Sequence, residues 1–582
     1  MKIISFGVNN FRGISGGIEN NTIEFHNSNT IFLLGQNNVG KSSFLKAYEF
    51  FYKNTTTTAE DFYRMNLENS IEFELVLQLD MYDFQKDSLK NKQEGLKKWL
   101  NKDNFLKIKK IIRLKPGKKI EFESENYTWD YGNQLWEKKN YGGIGLDSVF
   151  QSALPKPIFI KAMPTESEVE IIINDILKQK AESNLKDKER QELKDAQEKI
   201  LDLQNKLYNP ESINSYKNEV NRHFNELFPN TKIELSEKDK AKWTENSIGK
   251  IFSIHFEQNK IDGEKDSTIP TNYDRVGHGA VRSAIFSLLL MKDIAEEFER
   301  VENRKDYIVL FEEPELFLHP KLMKQLRSLI YKVSESKSPY QLLCASHSPQ
   351  MIDITKEKSS LVRMVKTNNG TMLFQINDDF LMKSKEIRTK EELKTEMNEV
   401  LRFNPFICES FYSDEVILIE GPTEEIILRG YLNEINPTKD IFIVNCGTVN
   451  NIPFFQKIFS KFNIKYHVIC DSDDSKIHNT DDFGLTVFDY GIQKSIYEQF
   501  NLDYKKDGYT CGLFLVHEIT FEPSHKNNII PNELQYSNDF KSSDGKPYNA
   551  NLYWKNILQP NLNHSNILKV PIIFFIDNIV NH

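Results

Sequence analysis

The stretch Ile31-Phe-Leu-Leu-Gly35-Gln-Asn-Asn-Val-Gly40-Lys41-Ser42-Ser43 constrains this chain more than any other. An apolar run breaks into glycine and resumes as Phe44-Leu45-Lys46-Ala47, which reads as a buried strand, a tight loop and a helix start. Between them lies the G-x-x-x-x-G-K-[ST] spacing of a phosphate-binding loop. Gly35 and Gly40 permit backbone angles that a side chain forbids, so successive N–H groups can turn inward around phosphate oxygens at a helix N-terminus. Lys41 is then placed for the β- and γ-phosphates of ATP and the Ser42 hydroxyl for Mg²⁺, with Asn38 and Ser43 completing the candidate nucleotide-binding set.

A chain of 582 residues is long for one domain. Its 39% hydrophobic and 27% charged content describes sizeable cores rather than disorder. No apolar run approaches the roughly eighteen residues of a membrane span, and the N-terminus lacks a signal-peptide apolar region, so the expectation is a cytoplasmic protein without membrane contact. Cys344, Cys408, Cys446, Cys470 and Cys511 are scattered without a C-x-x-C pair and fit reduced, buried thiols. The formal charge of −9 argues against a uniformly basic nucleic-acid coat, while local basic patches stay compatible with it.

Met1 to Phe25 alternates like paired strands and contains Asn9-Asn10-Phe11-Arg12-Gly13. An N-F-R-G turn ahead of a phosphate loop resembles the opening of the RecF/SMC/OLD branch of ABC-type ATPases, in which Arg12 could reach the nucleotide. Ser70 to Asp80 alternates as a strand with Gln78 near the place of a Q-loop glutamine, and Asp83 to Phe150 reads as further strands and a helix. Pro155, Pro157 and Pro164 then punctuate a boundary. The charged segment after it carries Leu193, Ala196, Ile200, Leu203 and Leu207 at three- and four-residue spacing, a seam expected of a helical insertion that dimerises or packs as a short hairpin.

Past the insertion, Gly277 and Gly279 precede an apolar helix in the shape of an ABC signature loop, whose N–H groups would face a γ-phosphate held by a second protomer. Tyr307 to Phe311 is a buried strand ending in Glu312 and Glu313. Adjacent glutamates there make a Walker B pair, Glu312 holding Mg²⁺ and Glu313 orienting and deprotonating the attacking water. A further strand ends at His347, placed as a γ-phosphate sensor.

A second acidic constellation follows. Asp414 to Ile419 is a strand ending in Glu420-Gly421, with Glu424 near the start of a helix; Ile441 to Cys446 is a strand ending in glycine; Tyr466 to Cys470 ends in the D-x-D of Asp471 and Asp473. Alternating strands and helices describe a small parallel sheet with its site at the carboxyl edge. There Glu420, Glu424, Asp471 and Asp473 can converge on a hard divalent cation, Mg²⁺ or Mn²⁺. Val570 to Ile576 looks strand-like.

Glu-Gly, a later glycine and D-x-D resemble the Toprim pattern of topoisomerases, primases and OLD nucleases. An ABC-type ATPase split by a helical insertion and followed by Toprim resembles the OLD family of ATP-dependent endonucleases, which includes the nuclease subunit of Gabija anti-phage systems. The resemblance implies an α/β chain: an ABC-type ATPase domain opening over residues 1–164, a helical dimerisation insertion over 165–230, the remainder of the ATPase domain over 231–377, a linker over 378–410 and a Toprim nuclease domain over 411–582. It also implies later acidic positions and a lysine, here Glu518 and Glu522 on a strand running from Leu515, and Lys546; which of the two glutamates ligates metal stays open because Thr520 stands where relatives can have aspartate. Glu313, His347, Glu420, Asp471 and Lys546 become the expected catalytic residues. The implied partners are DNA, a homodimer or higher homo-oligomer such as a tetramer, and a helicase-like protein in anti-phage defence. The rival readings are a RecF/SMC-like ATPase scaffold or sensor in repair or defence without nuclease activity, and a Toprim topoisomerase or primase.

Overall fold

The computed structural model describes residues 1–25, 28–53, 56–81, 83–85, 99–115, 121–138, 154–163, 168–169, 171, 210–227, 231–237, 252–259, 268–271, 279–281, 283–284, 306–335, 340–353, 360–368, 370–375, 406–473, 477–480, 486–488, 491–507 and 510–581. These form two compact units, Met1–Leu373 and Phe374–His582. Gly277, the leucine seam from Leu193 to Leu207 and most of the 378–410 linker lie outside the described residues.

In the first unit the strands are β1 (Lys2–Asn9), β2 (Thr22–Glu24), β3 (Thr30–Leu34), β4 (Ile71–Gln78), β5 (Phe105–Leu114), β6 (Phe122–Asp130), β7 (Leu135–Lys138), β8 (Lys156–Ile160), β9 (Thr231–Glu237), β10 (Phe252–Asn259), β11 (Thr268–Thr271), β12 (Tyr307–Glu312), β13 (Tyr340–Ala345), β14 (Leu361–Thr367) and β15 (Gly370–Gln375). One sheet runs β2-β1-β4-β5-β6-β7 with antiparallel pairing throughout. The strict alternation of β4, buried at Ile71, Phe73, Leu75 and Leu77, is that of a sheet with one covered face. A second sheet runs β15-β14-β3-β13-β12-β8, in which β14, β3, β13, β12 and β8 are parallel neighbours. Its central strands β3 and β13 are buried at every residue, as a parallel sheet covered on both faces requires.

The helix Lys41–Lys53 presents Phe44, Tyr48 and Phe51, at i, i+4 and i+7, to Phe6 of β1. Phe73 stacks on Phe6 and meets Phe11, Phe50 and Phe51, so one aromatic cluster ties the phosphate-loop helix to the antiparallel sheet. Burying each such ring stabilises the fold by about 1.5–3 kcal/mol. Arg12 donates from Nε and Nη2 to Asp61 Oδ1 at 3.1 and 3.0 Å. Gln78 ends β4, exposed, in the antiparallel sheet. Within the expected insertion, the helix Pro210–Leu227 buries Tyr216, Val220 and Phe224, and Asn221 brackets Ile233 of β9 with two hydrogen bonds.

The second unit is built on β16 (Glu415–Ile419), β17 (Ile441–Asn445), β18 (Lys465–Asp471) and β21 (Cys511–His517), the last preceded in the chain by a small hairpin of β19 (Ile477–Thr480) and β20 (Thr486–Phe488). The sheet order is β17-β16-β18-β21, parallel throughout, so the carboxyl ends of all four strands share one edge. Helices Pro422–Ile435, Ile452–Lys461 and Gly491–Asp507 follow the strands; the first two carry proline in the opening turn, where its missing N–H costs nothing.

Two expectations fail here. Val570 to Ile576 is no strand but opens the helix Pro571–Asn581, which buries Ile572, Ile573, Phe575, Ile576 and Ile579. An unbroken apolar run has no period to separate a buried helix from a strand, and Pro571 favours a first helical turn. The strand expected from Leu515 to Glu522 stops at His517; Glu518 lies in a bend and Glu522 on the short helix Phe521–Ser524.

Candidate active sites

The first site surrounds the loop between β3 and the helix Lys41–Lys53. Gly35 and Gly40 hold φ at 137° and 105°, and Asn38 holds 62°. A Cβ at Gly35 would stand 2.4 Å from the Met364 carbonyl oxygen, so glycine is needed for space as well as angle. Lys41 is buried, its Nζ donating to the carbonyl oxygens of Gly35 and Gln36 at 2.6 and 2.7 Å. Burial pushes its ammonium down to about 8 against the opposing pull of Glu313 and Glu315. Ser42 and Ser43 are half-buried in the first turn.

Because β13 lies between β3 and β12, the sheet brings the His347 loop and the acidic strand end beside the phosphate loop. Glu312 ends β12, its Oε2 accepting the Ala162 N–H at 3.4 Å. Glu313 adopts φ 45°, and its N–H donates to Ala345 O at 2.7 Å, clamping the ends of β12 and β13 together. His347 is exposed, yet partial desolvation and then the Lys41 ammonium hold its imidazole down to about 4. Gly279 starts a helical turn against the segment after β12, where an added Cβ would sit 2.8 Å from Phe317 O and from Leu318 Cδ2.

Glu315 is the residue that sequence reasoning missed. Its Oε1 accepts the Ser346 hydroxyl at 2.9 Å and the His347 N–H at 2.7 Å, so it fixes the backbone that carries His347. Burial pushes its carboxyl up. Only its place as the third acid of Glu312-Glu-Pro-Glu315 could have marked it.

The second site lies on the carboxyl edge of the β17-β16-β18-β21 sheet. Glu420 follows β16, Asp471 ends β18, and Glu424 is buried in the first turn of Pro422–Ile435. The Asp471 N–H donates to Glu420 Oε2 at 3.4 Å. Asp473 is exposed at φ 48° and held by Gln493, whose Nε2 donates to its Oδ2 at 3.1 Å. Three further bonds tie the D-x-D loop to the end of β21: Ser472 N–H to His517 O, Asp473 N–H to Ile519 O, and Ile519 N–H to Ser472 Oγ, at 2.9, 2.9 and 2.8 Å.

The carboxyls resist ionising together. Burial, then Asp471 and Glu420, push Glu424 up to about 8; burial pushes Asp471 up to about 6 despite Lys546; burial and then Asp471 raise Glu420. Lys546, exposed at the head of the helix Lys546–Leu552, is close enough to favour the charged forms of all three. Glu522 acts on Asp471 as a like charge, whereas the Glu518 side chain is exposed. His517, fully buried, also went unnoticed in the sequence: its Nδ1 lies 3.0 Å from Asp471 Oδ1 and 3.8 Å from Glu424 Oε1. Burial pushes it down to about 3. Ligand atoms of Glu424, Asp471 and His517 all lie within 4.8 Å of one another. Clustered carboxyls whose ionisation is opposed by burial and by one another form a donor set that fits a divalent cation.

A phosphate-loop sheet in one unit and an acid-edged parallel sheet in the other define a P-loop ATPase joined to a second site fit for a divalent cation. The chain belongs to the AAA ATPase domain family, whose profile matches residues 1–352, and residues 411–473 match the overcoming lysogenization defect protein-like TOPRIM domain. The Old nuclease of Escherichia phage P2 is 27% identical over 470 residues, covering 76% of this chain and 73% of that protein. Endonuclease GajA of Bacillus cereus strain HuB5-5 is 23% identical over 506 residues, covering 76% and 72%. No described helix is long and apolar enough to cross a membrane.

Proposed function

We propose that this chain is an ATP-regulated, divalent-metal-dependent DNA endonuclease of the OLD type, acting in anti-phage defence. The observation that carries the reading is the meeting of Glu420, Glu424 and Asp471 at one sheet edge with carboxyls raised by burial and by one another, in a chain whose other unit holds a phosphate loop.

In the ATPase unit, the amides of the Gly35–Gly40 loop and Lys41 bind the phosphates of ATP, and Ser42 and Glu312 stand as the Mg²⁺ ligands, Glu312 through water. Glu313 takes the proton of the attacking water, while Glu315 positions His347 for the γ-phosphate. Gly277 and Gly279 serve a nucleotide held by a second protomer, which makes a homodimer the minimum assembly; the 165–230 insertion is its dimerising element, and a tetramer extends the same contacts.

In the Toprim unit the acidic edge would hold Mg²⁺ or Mn²⁺, whose positive charge would serve to activate water and to stabilise the leaving 3′-oxygen. Glu420, Glu424, Asp471, Asp473 and Glu522 hold the cations, with Glu518 spared. Lys546 neutralises charge developing on the scissile phosphate. A helicase-like protein is the partner that the family resemblance suggests.

Nicking of supercoiled plasmid in Mg²⁺ or Mn²⁺ tests the reading. Wild-type chain converts closed circles to open circles and Glu420→Ala does not. No nicking by the wild type in either metal, with ATP hydrolysis intact, would replace the nuclease by an ATPase scaffold or sensor.

A further inference from the structure

The acidic edge of the Toprim sheet is not chemically uniform. Glu420 and Asp473 lie toward solvent and offer only oxygen. Glu424, Asp471 and His517 lie beneath them, with relative exposures of 5%, 8% and 0%, and this inner group contains an imidazole. β21 delivers His517 as its last residue in register with Asp471, the last residue of β18, so the two side chains meet across adjacent parallel strands. The ring is fixed from behind: Phe521 and His525 each meet it edge to face, at centroid distances of 5.1 and 5.3 Å. Its Nδ1 is aimed into the carboxyls and its Nε2 has no hydrogen-bond partner among the described residues.

We infer that His517 Nδ1 is a direct metal ligand, so that the Toprim unit holds two unlike cation positions: an outer one of oxygen donors from Glu420, Asp471 and Asp473, and an inner nitrogen-containing one from Glu424, Asp471, Glu522 and His517, with Asp471 shared. This rests on the proposed metal-dependent nuclease.

The distances match. Adjacent ligands of a cation with bonds of about 2.1 Å stand about 3.0 Å apart at right angles and about 4.2 Å apart when opposite. Nδ1 stands 3.0 Å from Asp471 and 3.8 Å from Glu424. The sterically fixed ring needs little movement to make the bond; a cation there takes the place of the proton lying between Nδ1 and Asp471, and the neutral ring then carries its one N–H on Nε2. Carboxylate and water sets suit Mg²⁺, Ca²⁺ and Mn²⁺ alike, whereas an imidazole nitrogen favours a first-row transition cation over Mg²⁺. The inner position therefore selects Mn²⁺ over Mg²⁺ and the outer position accepts either.

Mn²⁺ added to the full-length chain provides the probe, read by pulsed electron paramagnetic resonance for nitrogen-14 coupling and by calorimetry for affinity. The wild type shows coupling from one directly bound imidazole nitrogen, His517→Gln binds Mn²⁺ without that coupling, and its preference for Mn²⁺ over Mg²⁺ falls by about tenfold. Mn²⁺ bound to the wild type with no nitrogen coupling overturns the inference and leaves the oxygen-ligated nuclease standing. No Mn²⁺ bound at all overturns both. Because the wild-type spectrum decides the point, poor folding of His517→Gln does not blunt the test; Glu424→Gln, which keeps the side-chain volume, gives an independent loss of the nitrogen-coupled signal.

Discussion

The two sites of this chain are assembled in opposite ways. The phosphate-binding site is largely one continuous loop, Gly35 to Ser43, whose geometry is set by glycine φ angles and a helix N-terminus. The Toprim site has no such loop; it exists only because four parallel strands end at one edge and bring residues from Glu420 to Lys546 together. Charge differs as well. The first site sets glutamates around a buried lysine, while the second stacks carboxyls against each other, opposed by backbone hydrogen bonds and by exposed Lys546. A site built from backbone tolerates loss of a neighbouring side chain better than a site whose donors are all side chains from separate strands.

The largest effects follow from deleting the groups at each centre. Glu420→Ala lowers plasmid nicking by at least about 100-fold while ATP hydrolysis stays within a factor of about two, the ordinary cost of losing a metal-supporting carboxylate being of that order. Nicking that survives in Glu420→Ala breaks the comparison. Next in size is stability: Phe73→Ala removes a ring from the cluster that joins the loop helix to its sheet and costs about 3–5 kcal/mol. Thermal unfolding followed with and without ATP should show the first unit weakened; a change below about 1 kcal/mol would mean that the cluster does not hold the loop helix.

A smaller effect is expected from pH. Glu424, raised to about 8, keeps a proton in the folded chain that the unfolded chain has lost above its ordinary value near 4.3, so this group makes stability fall as pH rises through that window. The buried histidines His467, His517 and His525 are all lowered and act in the opposite sense, but only below their ordinary value near 6.5. Between about pH 6.5 and 7.5 the carboxyl effect is left: the chelator-treated chain loses stability as pH rises, and apparent Mn²⁺ affinity rises by about tenfold for the one proton displaced. Calorimetric titrations at the two pH values read this directly, and a pH-independent affinity would show that Glu424 is not a ligand.

Glu315→Gln keeps both hydrogen bonds within reach and so lowers ATP turnover only modestly, by less than about tenfold, whereas Glu315→Ala frees the His347 backbone and costs more. Equal losses in the two variants would make the charge of Glu315, not its bonds, the active feature. The smallest change belongs to Glu518→Ala, expected to leave nicking within about twofold, with Glu522→Ala clearly lower; substitutions of exposed side chains rarely matter more. A reversed order would move the metal ligand from Glu522 to Glu518.

What could be read from the sequence follows the same division. The strand, loop and helix around Gly35 to Ser43 were legible because their signals are contiguous. Glu420, Asp471 and Asp473 were legible as strand-end punctuation and Glu424 as an acid opening the helix that follows. Glu315 and His517 were not, since one acts through a bond to a loop 32 residues away and the other through the register of β18 against β21, neither of which leaves a local pattern. The helix Pro571–Asn581 was misread because an apolar run without alternation carries no period. The break after His517 was hidden because Glu518-Ile-Thr-Phe-Glu522 continues a strand-like composition past the point where the chain turns.

The most direct test of two separate chemistries in one chain is to measure ATP hydrolysis and plasmid nicking together, across zero to millimolar ATP, for the wild type, Lys41→Ala and Asp471→Asn. Lys41→Ala should lose ATP hydrolysis and show nicking that no longer responds to ATP, while Asp471→Asn should hydrolyse ATP and fail to nick at every concentration. Nicking by Asp471→Asn at the wild-type rate, or an unchanged ATP response in Lys41→Ala, would contradict the account.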